Sequence, residues 1–158
     1  MNATNQQPTQ KGIDPRGPRF GAAITSVLMV LVIYLSLDSA TINLALGIMI
    51  FSVAMFSIGT AVGPAKHPYS YVFKYLVRPA LKPPSALENP TPVHFAQFVG
   101  LLVTGTGLVL HLLNVPYALP VAAAAAFTAA FLNAVFAYCL GCQMYLGLKR
   151  LGVIPSKS

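Results

Sequence analysis

The sequence predicts an all-α membrane protein: a four-helix transmembrane bundle made of two helical hairpins, with a short interfacial amphipathic helix between the hairpins. Three observations predict it. Hydrophobic residues make up 56% of the chain and charged residues 8%, where a soluble domain carries about a quarter charged residues. Four apolar runs reach the roughly 20 residues that a helix needs to cross a bilayer. All ten Lys and Arg residues lie outside the central stretches of those runs, in three segments that four crossings bring to one side. The length of 158 residues fits one domain.

The elements follow in chain order. Residues 1–12 are polar, with little to bury, and are expected to form a disordered tail. No short apolar core with a small-residue cleavage site marks a secretory signal. The membrane domain is expected over 13–150. Its first span covers 20–37, FGAAITSVLMVLVIYLSL, and its second covers about 41–62. The third covers 95–113 and the fourth about 117–148. The fourth is longer than a bilayer requires, so its last turns are expected to emerge at the surface or tilt. The connections Asp38-Ser39-Ala40 and Asn114-Val115-Pro116 are short, which makes the joined helices antiparallel neighbours. Residues 63–94 form the connection between hairpins, and 151–158 a short tail.

The basic residues orient the bundle. Lys11, Arg16 and Arg19 precede or open the first span; Lys66, Lys74, Arg78 and Lys82 lie between the hairpins; Lys149, Arg150 and Lys157 follow the fourth span. The two tight loops have none. The positive-inside rule places both termini and the middle connection in the cytoplasm, with the protein multi-pass in the inner (cytoplasmic) membrane. The net charge of +7 does not indicate nucleic acid, because the basic residues form no continuous stripe with stacking aromatics.

An internal repeat is visible. Asp14-Pro15 with Arg19-Phe20 and Asn89-Pro90 with His94-Phe95 share the pattern [DN]-P-x-x-x-[RH]-F at an offset of 75 residues. Each copy opens a pair of spans, so the halves are parallel hairpins. The pattern has a physical sense, since Asp or Asn can cap, the basic residue meets headgroups and Phe enters the apolar layer. Between the halves, Tyr69, Phe73, Leu76 and Val77 fall at helical spacing. They predict a helix lying in the headgroup layer, ended by Pro79, Pro83 and Pro84.

Small residues predict close approach. Ala122, Ala126, Ala130 and Ala134 recur every four residues on the fourth span, and Gly100, Gly105 and Gly107 thin the third, so these two are expected to touch. Asn43, Gln97, Thr104, Thr106 and Asn133 are expected to face the bundle, since an amide or hydroxyl in lipid is costly. Asp38 and His111 read as boundary residues. No Asp, Glu, Lys or Arg lies mid-span, which argues against an ion pump acting alone.

The stretch YCLGCQMY, residues 138–145, holds the only two cysteines, Cys139 and Cys142. Residues three apart on a helix share a face. A C-x-x-C dithiol there can exchange with a disulfide or receive sulfur as a persulfide. On the cytoplasmic side a permanent structural disulfide is not expected. A continuous fourth helix puts the pair near a helix C-terminus, where the dipole disfavours thiolate, unless the helix ends or bends near Gly141. Packing is the competing reading. A Cys2His2 metal site with His67 and His94 is a third, although nothing in the spacing demands it, and no metal or cofactor site is assigned. His67 itself reads as an interfacial side chain. There is no Walker loop, dinucleotide turn or H-E-x-x-H motif.

Three stretches resemble a family: IDPRGPRFGA, PYSYVFKYLVRPALKPPSALENPTPVHFAQFVG and AAFLNAVFAYCLGCQMYLGLKR. They look like an uncharacterised bacterial, actinobacterial-type integral-membrane family of unknown function with a C-terminal C-L-G-C-x-M-Y motif. The resemblance runs from Ile13 to about Arg150. His94 stands where the family tends to have Arg, and Gln143 where it tends to have Glu. The resemblance implies a small helical membrane protein whose members often occur beside thioredoxin-like or sulfurtransferase genes. Taken with the residues, the leading expectation is a cytoplasm-facing dithiol, Cys139 and Cys142, exchanging electrons or sulfur with a thioredoxin-like or rhodanese-like partner. The alternative is a non-catalytic accessory subunit of a larger membrane complex, and a small-solute transporter ranks third.

Overall fold

The computed structural model describes residues 12–155. The tail expected over 1–12 lies outside them except for Gly12, as do residues 156–158 of the expected C-terminal tail. The helices are α1 (Arg16–Leu35), α2 (Ile42–Val62), α3 (Pro68–Val72), α4 (Pro90–Leu112), α5 (Ala118–Phe136) and α6 (Leu140–Arg150). After α3 the helical path continues through a π turn, Phe73–Val77, and a 3-10 turn, Arg78–Ala80. Among the described residues, the sole extended pairing is one antiparallel bridge between Ile13 and Glu88.

Helices α1, α2, α4 and α5 are 20, 21, 23 and 19 residues long and each is apolar enough to cross a membrane. Only 17–22% of the most apolar window of each helix is buried in the bundle. The rest of the apolar surface faces outward, as a lipid-solvated bundle requires and a water-solvated one forbids. The protein is an all-helical, four-span bundle.

The end of the bundle opposite the basic residues is close-packed. Met29 and Val32 of α1, Ala45 and Met49 of α2, and Leu119 and Ala123 of α5 form its core. Thr25, Ser26, Ser52 and Thr104 are buried, and each hydroxyl donates to the carbonyl one turn back. Back-bonding of this kind lets a hydroxyl sit among apolar side chains without another partner. Helices α4 and α5 do touch, where a Cβ on Gly107 would overlap Ala122. Gly100 instead faces Phe56 of α2, and Gly105 faces open space. Asn43 and Thr106, expected to point inward, are exposed. Asn43 lies in the first turn of α2, at the end of the bundle, and the inward stripe of α4 is already occupied by Thr104 and Gly107, three apart.

The expected repeat has a structural counterpart. Ile13 and Glu88, themselves 75 residues apart, exchange two backbone hydrogen bonds of 2.9 Å. Next to them, the Asp14 carboxylate accepts from the Arg16 N–H at 3.0 Å and the Asn89 amide oxygen accepts from the Thr91 N–H at 2.9 Å. One turn later, Arg19 donates to the Ala134 carbonyl near the end of α5, and the His94 Nε2–H donates to the Thr60 carbonyl near the end of α2. Each basic side chain satisfies an unpaired helix-end carbonyl and meets the negative end of a dipole. The two hairpins are thus entered in the same way, side by side at the bridge. The starts of α1 and α4 and the finishes of α2 and α5 share one end of the bundle, the end that carries the basic residues.

The fourth span departs most from expectation. It is not one helix over 117–148: α5 stops at Phe136 and α6 starts at Leu140. Ala137 adopts the left-handed conformation, φ 54°, and the N–H groups of Ala137 and Tyr138 both donate to the Leu132 carbonyl. This closes α5 without the glycine that usually serves there. The left-handed region costs a non-glycine residue roughly 1–2 kcal/mol. Ala137→Gly should therefore raise the stability of the purified protein by about 1 kcal/mol and Ala137→Val should lower it; thermal unfolding in detergent reads both.

Candidate functional site

The break after Phe136 repositions the cysteines. Cys139 is the N-cap of α6, in an extended conformation, and its Sγ accepts from the Cys142 N–H at 3.2 Å. The pair is therefore at a helix N-terminus, not toward a C-terminus, and the dipole argument reverses sign: partial positive charge now faces the sulfur. The two sulfurs stand at disulfide distance, with the Cα atoms 5.2 Å apart. Both residues are half-buried. Lys149 and Arg150 occupy the last turn of α6, where cations suit the dipole, and lie away from the sulfurs.

The first half of the chain has a counterpart to this arrangement. His67 is the N-cap of α3, and its Nδ1 accepts from the Tyr69 N–H at 3.1 Å. Phe20 of α1 packs on Phe73 after α3, with ring centroids 5.9 Å apart, and Phe95 of α4 packs on Tyr145 of α6 at 5.7 Å. Gly21 lies under the Tyr69 ring, whereas Gly141 lies against Ala96 so closely that a Cβ would fall 2.6 Å from the Ala96 Cα. In the first half a glycine on the span meets a ring on the short helix; in the second, a glycine on the short helix meets an alanine on the span. Cys139 thus holds the position that His67 holds in the other half.

Between these two caps lies a cavity of about 290 Å³. It occupies the basic end of the bundle, below the packed core. The wall is mostly apolar, with Ala125, Ala126, Ala129 and Ala130 of α5 making the room. The polar groups on it include His67, Gln97, Asn133 and Cys139; Cys142 is not on its wall. Gln97 and His67 both overhang Gly59, whose missing Cβ leaves them space. The Gln97 Oε1 is buried and has no hydrogen-bond partner.

His67 is buried, not interfacial, and its tautomer is fixed. Nδ1 accepts from Tyr69, so the proton is on Nε2, which donates to the Met55 carbonyl at 3.1 Å. Burial pushes its pKa below the ordinary 6.5. The unfolded chain therefore takes up a proton first, and the stability that neutral His67 supplies is present above about 6.5 and lost as pH falls. Thermal stability should drop between about pH 7 and pH 5, and the drop should shrink in His67→Asn, which retains an N-cap acceptor. His94 is likewise engaged with a carbonyl. The Cys2His2 arrangement does not form: among the described residues no three His, Cys, Asp or Glu side chains come together as metal ligands.

Sequence reasoning singled out the cysteines and missed their surroundings. His67, Gln97 and Asn133 were separately visible as polar residues, but only the fold brings them to one cavity. The signal that could have found His67 is the repeat, extended past the second span to the segment after it. No curated protein and no solved structure matches the chain. Residues 13–150 match the family described as DUF4395, a domain of unknown function, and the chain belongs to that family.

Proposed function

We propose that this protein is a membrane-bound thiol–disulfide exchanger whose working groups are Cys139 and Cys142. The observation that carries the reading is the N-cap: the Cys139 sulfur sits on the Cys142 N–H at the start of α6, where a thiolate is stabilised. The Cα separation of 5.2 Å lies inside the range a disulfide spans, so the pair can open and close without moving backbone.

In the exchange, the Cys139 thiolate attacks a partner disulfide and expels one partner thiolate, forming a mixed disulfide. The Cys142 thiol loses its proton and attacks the Cys139 sulfur, forming the Cys139–Cys142 bond and releasing the second partner thiolate. Two electrons pass to the partner, and the reverse sequence returns them. With a rhodanese-like partner, the Cys139 thiolate takes the outer sulfur of a persulfide, and Cys142 then displaces it as hydrosulfide. The basic end of the bundle faces the cytoplasm on the positive-inside rule, so the partner is a soluble thioredoxin-like or rhodanese-like protein there. In a reducing compartment, disulfides of this kind are transient and catalytic.

Differential alkylation in native membranes tests the reading. The pair should interconvert between two alkylatable thiols and none when cells are shifted between reducing and oxidising media. A membrane-impermeant maleimide added outside intact cells should label neither cysteine. Thiols that never react, with a double Ser variant indistinguishable from wild type, would end the proposal; labelling from outside would reverse the sidedness.

A further inference from the structure

The cavity beside Cys139 is not needed for exchange with a soluble partner. It lies on the inward side of the sulfur, it is mostly apolar, and it has polar groups at one end. Next to it, with Val103 and Ala125 lining both, runs an apolar surface groove of about 550 Å³ along α4 and α5. That groove runs past Leu102, Leu110 and Val121 to Val115 and Tyr117 at the opposite end of the bundle. A compact head site beside an apolar, outward-facing groove suits an amphiphile with a small polar head and a long apolar tail.

The chemistry at the head site narrows the class. The cavity, at about 290 Å³, is near the lower limit of small-molecule sites, about 300–1,000 Å³. It suits a one- or two-ring head group. One wall carries Cys139, a sulfur that stores and releases two electrons together with Cys142. The walls also carry the Gln97 amide, with its unpartnered buried Oε1, and the Asn133 amide. Buried polar atoms without partners are rare and call for a ligand or water. An amide can donate to a carbonyl oxygen and accept from a hydroxyl, so such groups can hold both the oxidised and the reduced form of a quinone ring. No carboxylate, Lys or Arg lines the cavity, which disfavours a charged head group.

Resting on the exchange reading above, we infer that the cavity is a quinone site, and that the Cys139–Cys142 pair passes electrons between a soluble thiol partner and a lipid-borne isoprenoid quinone. The step balances. Cys139 and Cys142 lose their two S–H protons and two electrons and form one S–S bond. The quinone takes two electrons and two protons and leaves as the quinol. Cys139, on the cavity wall, is the sulfur beside the ring and the one that exchanges with the soluble partner; Cys142, off the wall, closes the disulfide. The tail lies in the α4–α5 groove.

The test uses the full-length protein in lipid nanodiscs, reduced and freed of reductant. The probe is decyl-ubiquinone, whose fully substituted ring forms no stable thiol adduct. Quinol absorbance and the maleimide mass shift of the cysteines are read together. One equivalent of quinol should form per protein as the pair closes. Ala129→Phe on α5 and Ala22→Leu on α1, which fill the cavity from two different helices, should slow quinol formation about tenfold or more, with reduction by soluble thioredoxin confirming that each variant is folded. The decyl tail should lower the half-saturating concentration about tenfold or more against a tail-less analogue. Quinol formed equally fast by both filled variants, or by Cys139→Ser, overturns the site. If wild type yields no quinol yet exchanges with thioredoxin, the quinone site falls and the exchange reading stands. If it does neither, both fall.

Discussion

Replacing Gly141 with valine will detach α6 from α4 and take the cysteine pair with it. The position leaves no choice, since an added Cβ would lie 2.6 Å from both the Cα and the Cβ of Ala96, a distance at which something must move. The neighbour is backbone, so a rotamer change cannot relieve it. Overpacking of this kind costs about 1–3 kcal/mol. Because Cys139 and Gly141 belong to the same first turn, the displacement also moves the sulfur off the cavity wall. Thiol exchange should fall with stability. Gly141→Ala should show a smaller loss, partly recovered by Ala96→Gly, which removes one of the two overlapping atoms. Gly147 supplies the control: it is on the same helix with nothing within 4 Å of an added Cβ. Gly147→Val should leave exchange intact and change stability only by the helix-propensity difference of a few tenths of a kcal/mol. Equal losses at both positions would mean that α6 docking is not what holds the site.

The second large effect is an asymmetry between the two cysteines. Cys139→Ser should abolish formation of any mixed disulfide, because the attacking sulfur is gone. Cys142→Ser should form the mixed disulfide and fail to resolve it, so the partner stays covalently attached until reductant is added. The reason is local geometry: Cys139 is the cap that receives the Cys142 N–H, and Cys142 is inside the first turn. A non-reducing gel of membranes from the two variants separates the outcomes. Trapping by Cys139→Ser instead would exchange the two roles. Trapping by neither, with wild-type behaviour retained in both, would mean that the sulfurs only pack.

Helix number, connectivity and the segregation of charge were legible because they follow from lipid: apolar length sets the spans, and Lys and Arg avoid them. The repeat was legible in Asp14-Pro15 and Asn89-Pro90, since each Asx side chain accepts the N–H two residues on, at the start of its helix. The break at Ala137 was not, because the sequence from Phe131 to Leu140 has neither Gly nor Pro and reads as uninterrupted helix. What ends α5 there is tertiary: Arg19 of α1 takes the Ala134 carbonyl, and Gly141 seats α6 on α4. Without the break the cysteines stand at the unfavourable end of a dipole; the sequence allowed the favourable end only if the helix ended or bent near Gly141. The burial of His67 was hidden for a similar reason. Its neighbours Lys66 and Pro68 look interfacial, but the room for its ring comes from Gly59 and from α4, which only the packed bundle supplies.

The most direct measurement is a redox titration of the cysteine pair in lipid nanodiscs, equilibrated against mixtures of reduced and oxidised glutathione or dithiothreitol and read by maleimide mass shift. The account predicts one reversible two-electron transition, with both thiols labelled at the reducing end and neither at the oxidising end, and the fold unchanged across it. A pair that stays closed under every reductant while the bundle is folded, or that opens only when the bundle unfolds, would contradict it.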